Sequence, residues 1–185
     1  MVDRKRAENA VRELLAAIGE DSSREGLRET PERVARMLEE LTAGYADRAE
    51  EHLGKTFAES GSALVIERDI AFSSTCEHHL MPFFGRVHIA YVPDGKVAGL
   101  SKLARTVEVY ARRLQLQERM NAQIADAIFR HLAPKGVAVV VEAEHTCMTA
   151  RGVKKTGSST VTCAVRGEIS DGVVAQLLSY TGERK

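Results

Sequence analysis

Cys76-Glu77-His78-His79 packs one thiol and two imidazoles into four positions, and His145-Thr146-Cys147 brings another imidazole and another thiol far downstream. Thiolate and imidazole are the donors that zinc accepts in a tetrahedral shell. Cys76 and His79 are three apart just after a strand-like run, which is metal-ligand spacing. His145 and Cys147 form an i, i+2 pair that projects from one face if the chain there is extended. Two thiolates and one or two imidazoles converge if the two strand ends lie side by side. A finger or ribbon draws its ligands as two close pairs that staple a small module, whereas here a long stretch of self-sufficient sequence separates them. The expectation is therefore a Cys76, His79 and Cys147 shell with one position open to water, leaving His78 and His145 free for proton transfer.

The remaining chemistry-bearing residues are less decisive. Ser101, Lys102 and Arg105 open a helical stretch, where a helix N-terminus with basic side chains suits a phosphate. Arg151, Lys154 and Lys155 follow Cys147 closely, so an anionic substrate tail near the metal is a reasonable reading. Gln117-Glu118 either opens the next helix as a first-turn stabiliser or offers acceptors to a guanine-like edge, and the residues alone leave both open. Cys163 reads as a small buried hydrophobe on a strand, Arg112 and Arg113 as solvated. His52, His88 and His131 read as surface or internally satisfied positions.

The elements that must position these groups follow from periodicity. Ala7, Ala10, Val11, Leu14, Leu15 and Ile18 recur at helical spacing before Gly19, and Thr30-Pro31 reads as a cap and first helical position ahead of Val34, Met37, Leu38 and Leu41. A short helix over 46–53 completes an N-terminal helical region, residues 1–60. Strand-like runs then cover 63–72 and 84–92, helices 101–114 and 117–132, and strands 137–144 and 160–167. Strand, strand, helix, helix, strand, strand predicts an α+β unit over 61–185, an antiparallel sheet backed by a helix pair. The 185 residues carry 26 basic and 26 acidic side chains, so no global field draws the chain to nucleic acid or to an anionic membrane. Three cysteines argue against a disulfide framework. The sequence has no apolar run of membrane-spanning length and no signal-peptide pattern behind Met1–Arg6, so a cytoplasmic location is expected.

With these residues in hand, the chain closely resembles the GTP cyclohydrolase I family. The resemblance runs from Thr30-Pro31-Glu32-Arg33-Val34-Ala35 onward and is densest in STCEHHLMPFFGRVHIAY, GLSKLARTVEVYARRLQLQER, QIADAI and EAEHTCMTARGV. It implies the tunnelling fold and zinc-dependent opening of the GTP imidazole ring, with formate release and rearrangement to 7,8-dihydroneopterin triphosphate, the first step of folate and pterin synthesis. Carried across residue by residue, it implies Cys76, His79 and Cys147 as zinc ligands and His78 and His145 as acid-base groups. Ser101, Lys102, Arg105 and Arg151 would hold ribose and triphosphate, Gln117 and Glu118 would read guanine, and Arg33 would reach a neighbouring subunit's triphosphate. It also implies a homodecamer of two stacked pentamers with interfacial active sites. Rival readings are a noncatalytic zinc-stabilised binding module and another tunnelling-fold enzyme acting on pterins or nitriles. A purine deaminase fits less well, since its His-x-Glu and Cys-x-x-Cys pattern is absent.

Overall fold

The computed structural model describes residues 2–61 and 63–182. Helix α1 (Arg4–Ala17) begins where the Asp3 carboxylate accepts the Arg6 N–H, and it packs on α2 (Thr30–Leu41). Pro31 occupies the first turn of α2 as its fixed φ favours, but the capping position falls on Glu29, one residue before the Thr30 expected from sequence. A 3-10 turn, Ala43–Tyr45, then rests on the end of a later helix. A side chain at Gly44 would stand 2.3 Å from the Val109 carbonyl oxygen, so only glycine permits that approach. Arg113 secures the same junction and is not merely solvated. It donates to the carbonyls of Gly44 and Val109, and its guanidinium lies over the rings of Tyr45 and Tyr110. Short helix α3 (Ala49–Leu53) sends Ala49 and Leu53 into the main core.

The centre of the fold is a five-stranded sheet, with β2 (Val65–Cys76), β3 (Pro82–Val92), β6 (Gly136–His145) and β7 (Thr160–Gly167) antiparallel in that spatial order. The two-residue β5 (Leu114–Gln115) adds in parallel beside the end of β2. A separate ribbon pairs β1 (Thr56–Ala58) with β4 (Lys96–Ala98). Helices α4 (Leu100–Ala111) and α5 (Gln117–Leu132) back one face of the sheet, giving the expected α+β arrangement. Ala133, in the left-handed conformation, and then Pro134 end α5.

Alternation sorts the strand residues. Val87, Ile89 and Tyr91 of β3 and Val137, Val139 and Val141 of β6 face the helix pair with Leu103, Val107, Ile124 and Ile128, and each fully buried side chain of this size contributes about 1.5–3 kcal/mol. The opposite face of the sheet is also covered. Helix α7 (Asp171–Ser179), absent from the sequence expectation, lays Leu177, Val173 and Val174 over Ala90, Ala138 and Val140. His88 shares that face and is 1% exposed. Its Nδ1 accepts the Asp69 N–H, while its Nε2 has no partner among the described residues, so it is neither a surface nor a fully satisfied histidine. Cys163, read as a buried hydrophobe, is exposed on edge strand β7.

Candidate metal centre and active site

β2 and β3 form a hairpin whose loop carries the first half of the site. Across it the Cys76 N–H donates to the Met81 carbonyl at 2.8 Å, and the Leu80 N–H donates to the Cys76 carbonyl at 2.9 Å. Leu80 takes the left-handed conformation, at φ 54°, that so tight a reversal demands. Glu77 fastens the loop sideways. Its N–H donates to the Gln115 carbonyl on β5, and its carboxylate accepts both guanidinium nitrogens of Arg119 on α5, at 2.5 and 2.9 Å. His78 and His79 are exposed, their rings edge to face with centroids 6.1 Å apart.

The second half arrives on β6, whose register sets His145 opposite Phe83. The two rings stack with centroids 4.6 Å apart and planes 6° from parallel. After His145 the chain does not stay extended. It enters the helical turn α6 (Thr146–Thr149), and the Thr146 hydroxyl donates to the Pro82 carbonyl at 2.6 Å. Cys147 therefore reaches the centre from a helical turn docked on the start of β3, not from the same face of an extended strand as His145.

These two halves bring one donor atom each of Cys76, His79 and Cys147 within 4.8 Å of one another. A tetrahedral zinc with bonds of roughly 2.3 Å to sulfur and 2.0 Å to nitrogen needs donors about 3.3–3.8 Å apart, so this set fits the ion with side-chain adjustment alone. Cys76 is buried, Cys147 half-buried and His79 exposed, so the cluster opens on the solvent side. Burial, and then the neighbouring Cys76 sulfur, push the Cys147 thiol up, so a metal ion entering here displaces a proton.

Around the cluster, His145 is half-buried, and burial holds its pKa below the ordinary imidazole value against the upward pull of the Glu118 charge. Glu118 is exposed at the start of α5. Its neighbour Gln117 is 1% exposed and turned inward: its amide nitrogen donates to the carbonyls of Val141 and Thr160, and its amide oxygen lies 2.8 Å from His145 Nε2. Of the two residues expected at a guanine edge, Glu118 is thus the one presented to solvent. Arg151 is exposed, and its charge favours the Cys147 thiolate. Ser101, Lys102 and Arg105 occupy the first turns of α4, and Arg33 pairs with Glu29 on α2 at 2.6 Å. Among the described residues no hydrogen bond or ion pair ties these four to the metal cluster. Sequence reasoning missed the Glu77–Arg119 clamp and the Phe83 stack. Both depend on partners distant in sequence, and the local hint was an aromatic residue, Phe83, directly after the Pro82 that opens β3.

The family described as GTP cyclohydrolase I matches residues 7–179. The GTP cyclohydrolase 1 of Clostridium kluyveri is 59% identical over 166 residues, 90% of each chain. That of Carboxydothermus hydrogenoformans is 57% identical over 177 residues, 95% of this chain and 92% of its own. The enzyme of Streptococcus sanguinis is 56% identical over 169 residues, 91% of this chain and 92% of its own. The apo crystal structure of an archaeosine synthase QueF-Like superposes with a TM-score of 0.49 at 20% identity, covering 60% of this chain and all of that one.

Proposed function

Because the chain belongs to the GTP cyclohydrolase I family, and is thus a hydrolase of pterin and folate biosynthesis with GTP as substrate, we propose that its reaction centre is the Cys76, His79 and Cys147 cluster with zinc as the resident ion. The observation that carries this reading is the approach of those three donor atoms, from a hairpin loop and a separate helical turn, to within 4.8 Å. Zinc, when bound, supplies Lewis acidity and a water acidic enough to act as nucleophile near neutral pH.

The chain's own residues then divide the remaining work. His145 donates a proton to N7 of the purine, making C8 electrophilic, and His78 serves the later proton transfers of ring opening, formate release and reclosure to 7,8-dihydroneopterin triphosphate. Glu118 accepts the ring and amino N–H groups of guanine, a pair that adenine does not offer. Ser101, Lys102, Arg105 and Arg151 neutralise and orient the triphosphate, with Arg33 acting at a neighbouring subunit's site. The proposed assembly is a decamer of two pentamers acting in the cytoplasm. The outer edge of β7 and most of the outer edge of β2 are unpaired among the described residues, as ring closure by strand pairing requires. Sedimentation of the purified protein should give about ten times the chain mass; a monomer would refute the assembly.

The test of the activity is direct. Zinc-loaded protein incubated with GTP should release formate and develop the ultraviolet band of a reduced pterin in equal amounts. Release of formate without a pterin band would end the assignment of the full reaction.

A further inference from the structure

We propose that Gln117 is a positioning residue that fixes His145 as the Nε2–H tautomer and so makes Nδ1 the single ring nitrogen through which His145 exchanges protons. The proposal rests on the reading of His145 as an acid-base group, and it follows from hydrogen-bond topology. Gln117 Nε2 lies 3.0 Å from the Val141 carbonyl oxygen and 2.9 Å from the Thr160 carbonyl oxygen, with the Thr162 hydroxyl at 3.3 Å. A carbonyl oxygen only accepts, so both amide hydrogens are committed to these groups. Rotating the amide by half a turn would set its oxygen against two other oxygens, which fixes the direction of the group. The amide oxygen therefore faces His145 Nε2 at 2.8 Å, and since that oxygen also only accepts, Nε2 must carry a hydrogen.

The consequences are specific. In the neutral ring Nδ1 is the lone-pair nitrogen, and in the charged ring Nδ1–H is the bond free to break. When the proton moves to a substrate nitrogen, the electron pair of that bond stays on Nδ1 and the ring is left neutral with Nε2–H intact. The lock is built from three elements, because Gln117 is the first residue of α5 while Val141 lies on β6 and Thr160 opens β7. Stacking on Phe83 holds the ring plane, and Gln117, 1% exposed, makes its side of the bond from a buried position. The same commitments leave the Gln117 side chain no N–H with which to contact guanine.

Long-range proton–nitrogen NMR of uniformly 15N-labelled, zinc-loaded protein at mildly alkaline pH tests the assignment without any substrate. The His145 signals, identified by their loss in His145→Ala, should show a pyrrole-type Nε2 and a pyridine-type Nδ1. The opposite pattern, or an even mixture, overturns the proposal. In Gln117→Leu the tautomers should mix, and kcat should fall on the order of 100-fold with KM for GTP and preference over ATP nearly unchanged. A raised KM or lost preference with kcat retained would make Gln117 a guanine contact and sink the idea. Should Gln117→Leu fail to fold, the spectrum of the unsubstituted protein still decides. Unchanged turnover in His145→Ala would remove the acid-base reading alone and leave the tautomer assignment standing.

Discussion

At the scale of single residues, the proposed centre rests on two facts: few side-chain types suit a zinc ion, and three of them converge. Cys147 is the most telling of the three, since it comes from α6 while Cys76 and His79 share a hairpin loop. Cys147→Ser keeps the size and loses the thiolate, so bound zinc should drop from about one ion per chain to near none, with formate release falling in parallel. Metal analysis and the formate assay on one preparation check this; full turnover by metal-free Cys147→Ser protein would remove Cys147 from the centre. The members of the cluster were legible in the sequence because cysteine and histidine at such spacing have few other uses, and the fold does bring them together. The inward turn of Gln117 was not, because an amide beside a carboxylate at a helix start reads equally well as a surface pair. Only the strand carbonyls above it, from residues 24 and 43 positions away, decide its direction.

At the scale of elements, site geometry is the register of β3 against β6. Gly85 shows how closely these strands meet, for a Cβ there would stand 1.8 Å from the Glu142 carbonyl oxygen. Gly85→Ala should force the strands apart, cost about 3 kcal/mol or more, and weaken zinc retention by disturbing Phe83 and His145 two positions away. A urea midpoint and zinc affinity both unchanged would contradict this. On the other face, α7 seals His88, and burial holds its pKa below the ordinary imidazole value despite the nearby charges of Asp69 and Glu142. The unfolded chain therefore binds more protons than the folded one below about pH 6.5. Stability attributable to His88 is present above that value and is lost as pH falls through the depressed folded pKa. His88→Leu should lower Tm less steeply than the unsubstituted protein between pH 7.5 and 5.5; parallel pH profiles would show that the buried ring titrates normally. The strands and the helix pair were readable from periods of 2 and 3.6. Helix α7 was not, since its short apolar run follows a strand without strong periodicity, and its partner is the sheet face of Ala90, Ala138 and Val140, small and β-branched residues that do not announce a covering helix. The turn at α6 escaped for a related reason: Thr146 bonding to Pro82 ends the strand, and that bond joins residues 64 positions apart.

At the scale of the whole molecule, the question is whether the metal holds the chain together or only equips it. The largest core cluster joins the sheet to α3, α4 and α5, and Cys76 is the one proposed ligand among its fully buried members. A second apolar cluster under α7 lies on the opposite face of the sheet. A chain of 185 residues is long enough to bury about 70% of the surface its unfolded form exposes, well beyond the size at which small domains depend on metal staples. The proposed zinc at the hairpin end would therefore add its binding energy to a fold that already stands. Removing it with a strong chelator should abolish formate release while far-ultraviolet circular dichroism changes little and Tm falls only by several degrees. Zinc readdition should then restore activity without a refolding step. A noncatalytic zinc-stapled module behaves in the opposite way, losing helix and strand signals cooperatively as the ion leaves. Cooperative unfolding on chelation would thus reassign the cluster to a structural role, and persistence of the fold with reversible loss of turnover ties the ion to the chemistry.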